Sequence, residues 1–254
     1  MSLYNLFNTI SAIMVLLFNL LHYRQQKKIL GGVSRSITRF FASKPQNFIY
    51  KILSADVLWV ILEILIITAV QYICTGFLNG VFGEIVNTGA NYFGRIFVAP
   101  LLVVALCILL KIDPLAQLDL ITPAYPLGLV FVKIACHFGC CCTGFVWEKG
   151  IYNPVTRQIE FPSQFLEADV ALLLFVFLVC FKKKFKKGTV FPIYLITYSA
   201  LRFFTEFTRG EPAVFLGLKT YQIICIVAVL VGIGELIAAR AYDKYCQRKQ
   251  KQTA

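Results

Sequence analysis

Seven apolar stretches of about twenty residues each take up most of this 254-residue chain. They lie at roughly 3–22, 53–76, 92–110, 119–141, 164–181, 189–207 and 218–239. A helical run of that length spans the hydrocarbon core of a bilayer, and in lipid a helix satisfies all of its own backbone hydrogen bonds. The expected fold is an all-α integral membrane protein: a single polytopic domain over 1–254, with seven transmembrane helices and no soluble module. A mean hydropathy of +0.72 with only 15% charged residues agrees. The start MSLYNLFNTI has no basic n-region and no small-residue cleavage site follows it, so the first stretch is expected to be a retained span.

The net charge of +12 could point to nucleic acid, but its placement argues otherwise. Most basic residues fall in alternate loops. Arg24, Lys27, Lys28, Arg35, Arg39, Lys44 and Lys51 lie between spans one and two, in the basic loop 23–51. Lys182, Lys183, Lys184, Lys186 and Lys187 lie between spans five and six. Arg240, Lys244, Arg248, Lys249 and Lys251 follow span seven. The positive-inside rule then puts the N-terminus outside and the C-terminus in the cytoplasm, which requires an odd number of spans. The partner is the membrane; no nucleic acid is expected. Loop 23–51 can carry a short amphipathic helix around Ser34–Phe41. Segment 77–95, rich in Gly and Asn, is expected outside or partly re-entrant. Segment 143–163 reads as the other outer loop, and Pro123 and Pro126 are expected to kink or start span four. Tyr125, Trp147, Tyr152, Tyr194 and Tyr221 read as interfacial aromatics.

Ionisable residues at membrane depth cost roughly 2.5–3.5 kcal/mol each on insertion scales, so they require a reason. In FPIYLITYSALRFFTEFTRGEP, a helix would put Glu206 about 40° from Arg202 and Arg209 about 20° on the other side. Tyr198 sits one turn above Arg202 on the same stripe. Cations beside a carboxylate suit a phospholipid headgroup, with Arg202 gripping phosphate through its planar fork. The competing reading is an interfacial Arg–Glu–Arg network without a ligand. Gln164 and Glu167, three apart, share a face at the start of span five. They either contact lipid and a site arginine, or Glu167 simply favours the positive end of a helix dipole.

The nine cysteines form no regular disulfide framework, and most pack as small hydrophobes. Cys136, Cys140, Cys141 and Cys142 crowd around His137. His137 serves either as a proton acceptor for a thiol or as a hydrogen-bonded interface residue. Cys140 or Cys142 is a candidate thiol nucleophile activated by it. A disulfide and simple helix packing are the other options. Adjacent cysteines alone make a poor tetrahedral metal site, so no metal is expected.

Two motifs carry a resemblance. FPSQFLEA at Phe161–Ala168 and YSALRFFTEFTRGEP at Tyr198–Pro212 are similar to the pattern of the prolipoprotein diacylglyceryl transferase family. That family writes the first as His-Pro-Ser/Thr-Gln-Leu-Tyr-Glu, matched here by Pro162, Ser163, Gln164 and Glu167. It writes the second as Tyr, Arg-Phe and Glu-Phe-x-Arg, matched by Tyr198, Arg202, Phe203, Glu206, Phe207 and Arg209. Gln222 falls where the family has a Gln, and Asp119 and Pro123 resemble the opening of its fourth span. The resembling region runs from about 90 to 225. The family's Gly-Arg-x-Gly-Asn-Phe-x-Asn-Gly-Glu becomes here Cys136 to Phe145, keeping Gly139 and Gly144 but replacing Arg by His137, the first Asn by Cys140 and Glu by Phe145. Its His-Gly-Gly becomes Phe93-Gly94-Arg95.

The resemblance implies a multi-pass enzyme of the bacterial cytoplasmic (inner) membrane. Its partners would be phosphatidylglycerol and a prolipoprotein signal peptide, whose lipobox cysteine thiol would receive a diacylglyceryl group. No metal or organic cofactor is required. His137, Arg202 and Glu206 are the expected catalytic residues, and Gln164, Glu167, Tyr198, Arg209, Gly139 and Gly144 the expected substrate-binding ones. The alternatives are a related lipid transferase using a Cys–His pair, and a phospholipid-binding or transport protein without catalysis.

Overall fold

The computed structural model describes residues 2–29, 31–44, 47–70 and 92–252. Eleven helices are found among them. They are α1 (Leu3–Leu21), α2 (Tyr23–Lys28), α3 (Gly32–Ala42), α4 (Phe48–Leu53), α5 (Asp56–Ala69), α6 (Tyr92–Leu110), α7 (Pro114–Ile121), α8 (Ala124–Phe138), α9 (Ser163–Phe181), α10 (Val190–Thr205) and α11 (Thr220–Gln252). Among the described residues, four helical runs are long and apolar enough to cross a bilayer: Leu3–Leu21, Pro114–Phe138, Ser163–Lys184 and Thr220–Tyr242, with Ile96–Leu110 a shorter apolar helix. A mostly helical membrane protein fits this pattern. Residues 77–91 of the expected segment 77–95 and the end of span two lie outside the described residues, and the stretch Phe93-Gly94-Arg95 is seen only as backbone within α6.

The chain divides into two compact units, residues 15–121 and residues 1–14 with 122–254. In the first, Val60 and Ile64 of α5 form a core packed by Leu16, Leu20, Tyr23 and Trp59. The helix expected around Ser34–Phe41 forms as α3. The buried Glu63 carboxylate accepts hydrogen bonds from the Ser34 hydroxyl and from the Gly31 N–H at 3.2 Å. That pairing satisfies a charge that would otherwise be costly in an apolar helix.

The second unit holds α8 to α11, with α8 packed on α9, and α10 on both α9 and α11. The first turns of α1 join it, where the Ser11 hydroxyl donates to Gly128 O at 2.8 Å and Phe7 stacks on Phe138 at 5.1 Å. Pro123 does interrupt the fourth apolar stretch: α7 stops at Ile121 and α8 resumes at Ala124. Tyr125 and Tyr194, expected as interfacial aromatics, do not present their rings at the protein surface. Both are buried, stacked at 6.1 Å, and Tyr194 stacks in turn on Tyr198 at 5.8 Å. Polarity is inverted relative to a soluble domain. Leu173 of α9 and Leu230 of α11 are exposed, while Gln164, Glu167, Arg202, Glu206 and Gln222 are buried. Such a surface is stable facing lipid tails and unstable facing water.

Segment 143–163, expected as a loop, contains a β-hairpin. Strands β1 (Val146–Asn153) and β2 (Gln158–Glu160) pair antiparallel, Asn153 opposite Gln158. Its turn is organised by Glu160, which accepts from Asn153 Nδ2 at 2.8 Å and from the Thr156 hydroxyl at 2.6 Å. Burial works to raise the Glu160 carboxyl, but hydrogen bonds from Thr143, Thr156 and Asn153 outweigh it and hold the group below its ordinary value.

Candidate active site

The centre of the second unit is one carboxylate surrounded by cations. Lys133 of α8 brings Nζ to 2.6 Å from Glu167 Oε2, and Arg209 brings NH2 to 2.5 Å from Glu167 Oε1. Arg202 Nε lies 3.7 Å from the same carboxylate, and its NH1 pairs with Glu206 one turn further along. All five charged side chains are buried. Three cations face two carboxylates, a surplus of one positive charge, and Lys219 adds a second at the rim, donating to Glu206 O at 2.8 Å and to Arg209 O at 2.5 Å. Desolvation makes uncompensated charge expensive, so such a cluster favours an anion as its remaining partner.

The cluster also has unused hydrogen-bonding capacity. Arg209 Nε, Gln164 Oε1 and Glu206 Oε1 have no hydrogen-bond partner among the described residues. Buried polar atoms are rarely left so unless something else occupies the site. Burial works to lower the Arg209 guanidinium, and Glu167 beside it outweighs that, raising it above its ordinary range and keeping it charged.

The route by which Arg209 arrives corrects the sequence-based expectation. Helix α10 ends at Thr205, a 3-10 turn covers Glu206–Thr208, and Arg209 is extended at φ −84°, ψ 146°. Arg202 and Glu206 keep their helical offset, but Arg209 is not on that stripe. It is set instead by a β-bridge to Gly144, flanked by Phe145 N–H to Thr208 O at 3.0 Å and Gly144 N–H to Phe161 O at 2.8 Å. The Ser163 hydroxyl completes the joint against Thr208 Oγ1 at 2.8 Å rather than capping its own helix. A side chain at Gly144 would meet Thr208 O at 2.4 Å and Ser163 Oγ at 2.5 Å, so the bridge requires glycine.

His137 sits one turn after Lys133 on α8. Its Nδ1 lies 3.4 Å from Gln164 Nε2, and its ring packs on Phe165 at 4.8 Å. Gln164 and Glu167 therefore face α8 together. Tyr198 is buried one turn before Arg202, and Arg202 itself lies over the Tyr221 ring at 5.6 Å. Gly139 ends α8 beneath Tyr4, whose ring a β-carbon would meet at 2.8 Å; like Gly144, it serves close packing of backbone. Cys140 is half-buried. Cys142 lies closer to the cations: hydrogen bonds involving Cys136 and Cys141 lower its thiol from the ordinary value, and the charges of Lys133 and Arg209 act in the same direction.

Lys133 was not anticipated. A lone lysine in LVFVKIACHFG is itself a signal, being ionisable, mid-span and four residues before His137. Lys219, beside Gln222, has no such mark, since it sits in a connecting loop just before α11, where a lysine is ordinary.

The sequence model for the family described as prolipoprotein diacylglyceryl transferase matches residues 37–238. The phosphatidylglycerol–prolipoprotein diacylglyceryl transferase of Chlorobaculum tepidum is 35% identical over 137 residues, which is 50% of this chain and 47% of that protein. Its namesake from Clostridium tetani is 29% identical over 157 residues, 58% of this chain and 63% of the relative. That of Helicobacter pylori strain G27 is 33% identical over 149 residues, 54% of this chain and 52% of the relative. The matched stretch spans between about half and just under two thirds of the length of these curated relatives.

Proposed function

The chain belongs to the prolipoprotein diacylglyceryl transferase family, and from that premise we propose that it transfers a diacylglyceryl group from phosphatidylglycerol to the lipobox cysteine thiol of a prolipoprotein. The observation that carries this reading is the buried cluster of Lys133, Arg202 and Arg209 around Glu167 and Glu206, one positive charge in excess and with Arg209 Nε unpaired. A single phosphodiester anion has the charge and the acceptor oxygens to complete it.

Thiolate attack on the terminal glyceryl carbon breaks the bond from that carbon to the phosphate oxygen. Negative charge grows on the departing glycerol phosphate, and preorganised cations in a water-poor site stabilise that growth most. Glu167 and Glu206 hold the guanidiniums in place before the lipid arrives. His137, held beside Gln164 at 3.4 Å, is placed to take up the proton that the acceptor thiol gives up. An apolar groove of about 310 Å³ between α10 and α11, lined by Ser199, Phe203, Phe204, Cys225 and Ile226, suits an acyl chain of the donor. The protein acts in the bacterial cytoplasmic membrane as a seven-span chain, N-terminus outside and C-terminus inside, with the cluster towards the outer leaflet.

The test is purified full-length protein with phosphatidylglycerol vesicles and a lipobox peptide, read by mass spectrometry. The expected result is a diacylglyceryl thioether on the peptide cysteine, absent with Arg202→Ala. A wild-type protein that binds the lipid but yields no adduct overturns the reading in favour of a lipid-binding role.

A further inference from the structure

Helix α8 ends in a Schellman cap. Cys140 N–H donates to His137 O at 3.1 Å and Cys141 N–H to Cys136 O at 3.1 Å, with Cys140 in the left-handed region at φ 52°. This closure brings the third residue from the helix end against the second residue beyond it, positions that commonly make an apolar contact. Here both are cysteine, at 136 and 141. A second left-handed residue follows, Cys142 at φ 62°. Left-handed backbone costs a side-chain-bearing residue roughly 1–2 kcal/mol, and glycine would avoid it. The outcome is that the sulfurs of Cys136, Cys141 and Cys142 all lie within 4.8 Å of one another.

Two adjacent cysteines make a poor metal pair, but the helix cap supplies a third ligand from five residues earlier. Around a tetrahedral zinc, with Zn–S near 2.3 Å, sulfurs stand about 3.8 Å apart, a small contraction from what is seen. Three thiolates and one divalent cation carry a net charge of −1, and the charges of Lys133 and Arg209 both reach Cys142 to offset it. Cys136 is buried and Cys141 exposed, so the group sits at a boundary accessible from one side. Three protein ligands with one open position is the pattern of a reactive zinc centre rather than a closed structural one.

We propose that Cys136, Cys141 and Cys142 form a trithiolate site for zinc, and that its open position takes the acceptor thiol in the transfer reaction. The second half rests on the function proposed above. Metal coordination removes the proton of a thiol outright. The acceptor R–SH binds as R–S⁻ and releases one proton. Its sulfur pair forms the C–S bond as the C–O bond to phosphate breaks, with that electron pair leaving on glycerol phosphate. The released proton balances the second charge of that phosphate monoester. The thioether then dissociates and the zinc trithiolate is unchanged.

The experiment uses full-length protein purified anaerobically, with metal content measured and cobalt(II) substituted for zinc as a spectroscopic probe. The expected result is one metal per chain, sulfur-to-cobalt charge-transfer bands, and a shift of the visible bands on adding lipobox peptide. Cys136→Ser and Cys142→Ser should lose the metal, while Cys180→Ser keeps it; chelation of the wild type gives the same readout without a variant. Stripping zinc should reduce thioether formation at least 100-fold, and zinc should restore it. Metal no higher than in the Cys136/Cys141/Cys142 triple serine variant overturns the site, as does a disulfide among these cysteines in freshly isolated protein. Bands unmoved by the peptide overturn the thiol-binding half. Full transfer by metal-free protein overturns the inference and leaves the transferase reading standing. Metal and a band shift with no adduct support the site and count against the transferase reading instead.

Discussion

Lys133 and Glu167 meet at 2.6 Å, ammonium to carboxylate oxygen, across the packed faces of α8 and α9. The contact explains why a lysine is tolerated in the middle of an apolar helix, and it makes Glu167 the common counterion of three cations.

Glu167→Gln would therefore leave Lys133, Arg202 and Arg209 with only Glu206 to offset them. Removing one partner of a buried pair costs roughly 3–5 kcal/mol, whereas removing both is often nearly neutral. Thermal unfolding in detergent should show a large loss for Glu167→Gln and a substantial recovery in the double variant Lys133→Met/Glu167→Gln. Phosphatidylglycerol should raise the midpoint of the single variant more than that of the wild type. Equal stability of all three proteins would contradict the hub role.

Arg202 contacts Glu206 through NH1 and approaches Glu167 through Nε, a geometry that needs a planar fork. Lysine keeps the charge and loses the fork. Arg202→Lys is expected to keep less than about a hundredth of wild-type transfer, the scale of losing one oriented transition-state donor. Initial rates of peptide lipidation against lipid concentration would show the loss chiefly in kcat.

Much of this arrangement was legible in the chain. Charges inside apolar runs marked Arg202, Glu206 and Glu167, and the spacing of Gln164 and Glu167 put both on one buried face. Periodicity failed at Arg209, because the helix stops at Thr205 and a strand-like pairing with residues 144–145 takes over. Nothing local announces a partner 65 residues away. The same limit hid the β-hairpin, whose short alternating strands carry a weak signal. Tyr125 and Tyr194 misled for another reason. Tyrosine near a span end is commonly interfacial, and only the tertiary stack of Tyr125, Tyr194 and Tyr198 buries them.

Gly144→Ala tests the bridge. Its new methyl would fall 2.4 Å from Thr208 O and 2.5 Å from Ser163 Oγ, so the backbone must separate. A destabilisation of about 1–3 kcal/mol is expected, the usual range for overpacking, with transfer falling at least 10-fold as Arg209 shifts. Gly234→Ala, whose β-carbon meets nothing within 4 Å, should be as stable as the wild type or slightly more so. Chemical denaturation of the two variants makes the comparison.

Acid should loosen the hairpin before the helices. The Glu160 carboxyl is held below its ordinary value near 4.5, so its stabilising contribution is complete above that value and disappears as pH falls through the folded value. Amide exchange over residues 146–160 should quicken as pH falls below the ordinary carboxyl value, after correction for intrinsic rates, while α9 stays protected. Glu160→Gln should remove that pH dependence and cost about 1.5–3 kcal/mol at neutral pH, the range for hydrogen bonds to a charged group. Pulsed exchange with mass spectrometry resolves both.

The pairing of Gly144 with Arg209 makes the hairpin a handle on the cation. Pulling on the segment between Gly144 and Phe161 draws on the backbone that aims one guanidinium at Glu167. Any displacement of that backbone would thus move the charge away from its counterion.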